Sequence, residues 1–133
     1  MARWTISQVA RQIGLRPSAI RYYERIGVLP EAERSSGRRR YDDTVLYRLA
    51  LVQRARATGF SLDEIKRLFN GFPAATPISQ RWRTLAEKKL AELELQAQRI
   101  ESMQAVLRRL QRCCRCEDVD QCGRAMFEAY RAP

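Results

Sequence analysis

The chain has 133 residues, 25 Lys and Arg against 15 Asp and Glu, a formal charge of +10, and no histidine. That length fits one domain with at most a small second unit. The missing histidine excludes a His general base, Ser-His and Cys-His catalytic pairs, and His metal ligands. No run of about 18 apolar residues occurs, so no membrane span is expected. The opening Met-Ala-Arg-Trp-Thr-Ile has no apolar stretch and does not read as a secretory signal. A reducing, cytoplasmic setting is therefore expected, where cysteines more often bind metal or sense redox state than form disulfides.

Charge and thiols are segregated. Residues 1–72 hold 14 basic and 7 acidic residues, a net of +7, and residues 73–133 hold 11 and 8, a net of +3. All four cysteines, Cys113, Cys114, Cys116 and Cys122, lie within ten residues of the less basic half. This division predicts a polyanion-binding head and a separate thiol site.

In chain order, Ser7 is the expected cap of a helix over 7–13 with Val9, Ala10 and Ile13 inward, stopped by Gly14. Pro17 suits the first turn of a second helix running to about Arg25 and ended by Gly27, with Ala19, Ile20 and Tyr23 inward. Two short helices joined by a few residues containing Gly form a helix-turn-helix signature. Ser35-Ser36-Gly37 is a turn flanked by Arg34, Arg38, Arg39 and Arg40, which reads as a basic hairpin or wing. Asp42 or Asp43 then caps a helix whose stripe is Val45, Leu46, Leu49, Val52 and Ala55, stopped by Gly59. Ser61 and Glu64 make a capping box for a helix bearing Leu62, Ile65, Leu68 and Phe69.

The breaker-rich stretch from Gly71 to Pro77 is the best boundary. From about Ser79 to Arg112 there is no Gly or Pro, which predicts a helix roughly 50 Å long. Ala86, Leu93, Ile100 and Leu107 recur every seven residues, with Leu90, Ala97, Met103 and Leu110 beside them and polar Lys89 and Gln96 at the edge. A sustained heptad on so long a helix predicts a homodimer paired through it. Residues 124–130 are compatible with a short final helix. The fold class expected is mainly α. It has a winged helix-turn-helix domain over 1–72, a dimerisation helix over 77–112 and a cysteine-rich effector-binding segment over 113–133.

A recognition helix reads DNA with side chains on one exposed face. Arg16, Ser18 and Arg21 lie on the first turns of the second helix, and Tyr22 is the next aromatic able to donate to a phosphate. Arg38, Arg39 and Arg40 alternate faces in the wing, so not all three can meet DNA; Arg54 and Arg56 are weaker candidates. Arg25 and Arg48 read as solvated residues.

The stretches Trp4 to Ala10, Gly14-Leu15, Ile20-Arg21-Tyr22-Tyr23-Glu24-Arg25-Ile26-Gly27-Val28-Leu29, Gly37 to Tyr41, and Arg54 to Phe60 closely resemble the MerR family of transcriptional regulators. The resemblance runs the whole chain in order. It implies a winged helix-turn-helix head and a long antiparallel coiled-coil dimerisation helix ending in an effector site. It also implies that Arg39 is the wing arginine that meets phosphate and Tyr41 the tyrosine beside it. The implied partners are double-stranded promoter DNA, RNA polymerase and a second copy of the chain, with no membrane. The implied mechanism is a dimer on an over-long promoter spacer that bends and undertwists the DNA when effector binds. The deformation costs a few kcal/mol, comparable with ordinary coupling energies.

Four clustered thiols without histidine select soft or borderline ions such as Cu(I), Ag(I), Au(I), Hg(II), Cd(II), Pb(II) or Zn(II). A disulfide between neighbouring cysteines would be strained. Three branches of the family offer templates. Cys114 to Cys122 matches the copper-efflux spacing. Cys113 to Cys122 matches the mercury and zinc spacing, but Thr76 to Ser79 supplies no cysteine of the kind that branch adds. Cys114, Cys116 and Cys122 match the last three positions of the SoxR-like [2Fe–2S] motif, whose first falls on Gln111. The expected site is a thiolate-bound soft metal ion on Cys114, Cys116 and Cys122, with Cys113 left open. The alternative is a redox-responsive regulator with a [2Fe–2S] cluster or oxidisable thiols. An enzyme is not expected, because there is no Cys-x-x-Cys on a strand-to-helix turn and no phosphate-binding glycine loop. A purely structural zinc is a further alternative.

Overall fold

The computed structural model describes residues 3–131. Two compact units, Met1–Ala91 and Glu92–Pro133, are distinguished. The first unit is the head. Helix α1 (Ile6–Ile13) starts at Thr5, not at the expected Ser7. The Thr5 side chain accepts from the Gln8 N–H, and Gln8 accepts from the Thr5 N–H. Thr5-x-x-Gln8 is a full capping box, so two orphan donors are met where Ser7 would meet one. Gly14, at φ 75°, ends the helix in the left-handed conformation expected of a C-terminal stop. Helix α2 (Pro17–Arg25) follows after three residues, with Pro17 in its first turn.

The wing is a hairpin of β1 (Glu33–Ser35) and β2 (Arg38–Arg40), paired Glu33 to Arg40 and Ser35 to Arg38. Ser36 and Gly37 both have positive φ, 54° and 76°. That is the mirror-image two-residue turn whose twist suits adjacent strands. Beyond β2, Tyr41 and Trp4 exchange backbone bonds of 2.9 Å and tie the chain's start to the wing's end.

Helix α3 (Asp43–Ala57) is capped by Asp42, whose carboxylate accepts from the Thr44 N–H, and carries Val45, Leu49, Val52 and Ala55 into the core. Helix α4 (Leu62–Asn70) begins with the expected Ser61–Glu64 capping box. Val9, Ile20, Val28, Tyr41, Leu49, Val52, Ile65 and Leu68 form the fully buried centre, so every helix of the head contributes.

Helix α5 (Ile78–Cys113) runs 36 residues. Its first turns belong to the head, which therefore extends past the expected boundary at 72. Leu85 is 3% exposed in the core, and Trp82 meets Phe60 edge-on at 5.7 Å. Lys89 Nζ bonds Glu64 Oε1 at 2.8 Å and sits over the Phe60 ring. Lys89 is thus an anchor on α4. The Arg81 guanidinium donates to the carbonyls of Leu68, Phe69, Ala74 and Thr76. It fills the role a cap would play for the open carbonyls at the end of α4.

In the second unit, α6 (Val119–Arg131) starts five residues earlier than expected. The Asp118 carboxylate accepts from the Gln121 N–H at 2.7 Å, and Gln121 accepts from the Glu117 N–H. No helix among the described residues is long and apolar enough to cross a membrane.

Candidate DNA-binding face and thiolate site

On α2, Ser18 and Arg21 are exposed and three residues apart, hence on the same helix face, and exposed Arg16 precedes them at the cap position. Tyr22 is half-buried, with the Arg25 guanidinium over its ring at 5.5 Å. Arg25 is thus solvated on one side and stacked on the other. Arg48, also expected to be merely solvated, donates to the Val28 carbonyl and lies over Phe69. In the wing Arg38 is exposed, while Arg39 and Arg40 are half-buried. Arg16, Ser18, Arg21 and Arg38 thus keep free surface.

Arg39 and Tyr41 stand differently from the expectation. Arg39 Nη1 pairs with Glu24 Oε2 at 3.1 Å. Tyr41 is 1% exposed, and its hydroxyl donates to the same oxygen at 3.3 Å. Burial first, then the Glu24 charge, holds the Tyr41 hydroxyl above its ordinary pKa. A side chain so enclosed offers an approaching duplex no surface. Its ring is packed in the core and its hydroxyl is held by Glu24 beside Arg39. Arg54 and Arg56 are exposed on the last turns of α3, and Arg56 reaches the Tyr23 hydroxyl at 3.4 Å.

The thiol site is built by the end of α5, a short connection and the first turn of α6. The Sγ atoms of Cys114, Cys116 and Cys122 all lie within 4.8 Å of one another. Three sulfurs each about 2.3 Å from one ion stand about 4 Å apart, so the trio has to close by less than about 1 Å to share a single soft ion. Cys113, the last residue of α5, is exposed and is not one of the trio. All four cysteines are free thiols.

Hydrogen bonds from the Cys116 backbone and side chain, helped by the Arg115 charge, hold the Cys114 thiol below its ordinary pKa. Burial and the neighbouring Cys114 push Cys116 up. Cys114 therefore presents a thiolate before Cys116 does. Leu110, Ala125, Met126 and Ala129 line the same cavity and give the sulfurs an apolar wall.

Two residues that matter here escape single-chain pattern reading. Glu24 bonds partners 8, 15 and 17 residues away, and Lys89 a partner 25 residues away. The start of α6 did carry a signal, since Asp118-x-x-Gln121 has capping spacing.

The family model described as "MerR HTH family regulatory protein" matches residues 4–71, and that described as "MerR, DNA binding" matches 46–110. The transcriptional regulator CueR of Salmonella typhimurium is 37% identical over 120 residues, spanning 88% of this chain and 86% of that one. The heavy metal-dependent transcription regulator 2 of Rhizobium meliloti is 33% identical over 118 residues, spanning 88% and 80%. Among solved structures, the regulator PbrR691 of Ralstonia metallidurans, in complex with lead(II), superposes with a TM-score of 0.72 at 27% identity, covering 89% of this chain and 93% of that one. HiNmlR, a MerR family regulator bound to promoter DNA, gives 0.54 at 27% identity, covering 85% and 95%. The winged head, the long helix and these matches together make the chain a member of the MerR family of DNA-binding transcriptional regulators.

Proposed function

We propose that this regulator responds to a soft metal ion held by Cys114, Cys116 and Cys122. The convergence of those three thiols within 4.8 Å carries the reading. Similarity to a heavy metal-dependent regulator and to a lead(II)-bound one supports it. The ion supplies a soft Lewis acid that three thiolates can share. Cys114, its thiol held below the ordinary pKa with Arg115 beside it, and Cys122, carried on the first turn of α6, would hold the ion together with Cys116 and so link the connection after α5 to α6. Four thiols do not converge, because Cys113 ends α5 outside the trio, and so the [2Fe–2S] alternative gains no support.

The working unit in this reading is a homodimer. Leu93, Ile100 and Leu107 are 40%, 55% and 64% exposed at seven-residue spacing along α5, a seam suited to a second copy. Arg16, Ser18, Arg21, Tyr22 and Arg38 present the DNA-facing surface, aimed at a promoter that RNA polymerase also occupies. Coupling between thiol site and head of about 1–3 kcal/mol is enough to bias a bent DNA state.

The test is protein purified without air, examined by elemental analysis, visible absorption and promoter response. One soft ion per thiol site is expected, with metal response lost on replacing Cys114, Cys116 and Cys122 by Ser and kept on replacing Cys113. Stoichiometric iron with a visible charge-transfer band, or a triple variant that still responds to metal, refutes the reading.

A further inference from the structure

Glu24 lies near the end of α2, and its side chain is 12% exposed. Donors from three separate places converge on its carboxylate. The Ala32 N–H reaches Oε1 at 2.7 Å, Arg39 Nη1 reaches Oε2 at 3.1 Å, and the Tyr41 hydroxyl reaches Oε2 at 3.3 Å. Ala32 immediately precedes β1, Arg39 is the middle residue of β2, and Tyr41 follows β2. Both strands of the wing therefore hang from one carboxylate of the recognition helix. A lone hairpin is marginal in water, so it needs such an external anchor to hold one orientation. Arg21 of the DNA-facing surface lines the same open cavity as Glu24 and Arg39.

We propose that Glu24 is a positioning residue for DNA binding, which fixes the wing against the recognition helix through Ala32, Arg39 and Tyr41. The proposal rests on the DNA-binding reading of α2 and the wing. It predicts an effect opposite in sign to simple electrostatics. Removing a carboxylate beside a polyanion ought to tighten binding and steepen its salt dependence. Removing an anchor ought to weaken binding, because the loosened wing must then be ordered when DNA binds.

The probe is the duplex that the wild-type protein selects from a random-sequence pool, titrated at several salt concentrations well below the melting temperature. Failure of the wild type to select any duplex refutes the DNA-binding reading itself. With selection achieved, E24Q is expected to bind about fivefold to tenfold more weakly with an unchanged salt slope. E24D keeps the charge but shortens the reach to the three donors, so it is expected to lose affinity as well, and it serves if E24Q does not fold. R39Q is expected to match E24Q, and the double variant to be no weaker than the weaker single one. Glu24 variants that bind as tightly as wild type or tighter overturn the proposal. So do losses that multiply in the double variant, or a lowered melting temperature with unchanged affinity of the folded protein.

Discussion

Lys89→Met tests how the long helix is fastened to the head. Lys89 and the Ser61 cap hold the Glu64 carboxyl at a pKa of about 2, against an ordinary 4.5. That lowering corresponds to about 3 kcal/mol if all of it reaches the folding equilibrium. Both side chains keep some solvent contact, 12% and 16%, and Ser61 supplies part of the effect. Lys89's share is then about 1–2 kcal/mol. Glu64's folded value lies below its unfolded value, so the stabilisation is complete above about pH 4.5 and fades as pH falls towards about 2. Met keeps an aliphatic stem of similar length but also removes the ammonium over Phe60, a loss that does not change between pH 7 and pH 2. Urea unfolding of wild type and variant at one fixed protein concentration, from pH 7 down to pH 2, reads the difference. A deficit of about 1–2 kcal/mol at pH 7 that narrows clearly towards pH 2 is expected. No deficit at pH 7, or one of equal size at pH 2, refutes the coupling of Lys89 to Glu64.

Three further outcomes follow from other contacts. Arg81→Met removes the donors to two carbonyls at the end of α4 and two in the loop after it, and should cost about 2–3 kcal/mol in denaturant unfolding, with a cost under about 0.5 refuting that role. Leu93→Glu with Ile100→Glu places charges on the proposed seam, and sedimentation should show a dimer for wild type and a monomer for the variant. Gly37→Ala forces a side chain to a φ of 76° in the wing turn and should lower stability by about 1 kcal/mol in thermal melts.

Much of the fold was legible in the sequence because its signals are local. Gly14, Asp42 and the Ser61–Glu64 pair mark helix ends through bonds that span four residues or fewer, Pro17 marks one through its fixed backbone angle, and Val45, Leu49 and Val52 face inward by spacing alone. At the first helix the expected cap was Ser7, and the reciprocal bonds between Thr5 and Gln8 set the cap two residues earlier. The missed features are pairings over longer separations. Nothing near Arg39 in sequence says that Glu24 will hold it, and nothing near Lys89 says that it turns back to α4. Burial of Tyr41 is of the same kind, since it depends on Trp4 arriving beside it. The thiol site divided in the same way. Clustering announced it, but leaving out Cys113 required knowing where α5 stops.

The three converging thiols lie within a nine-residue stretch, and α6, which completes their pocket, has no buried residue. Closing so short a loop costs little chain entropy, and no core packing depends on it. Sulfur number and spacing can therefore drift by single substitutions with little penalty to the head that reads DNA. Under the proposed metal response, ion preference would be an evolvable trait carried on a replaceable cassette, while the head is constrained by its core.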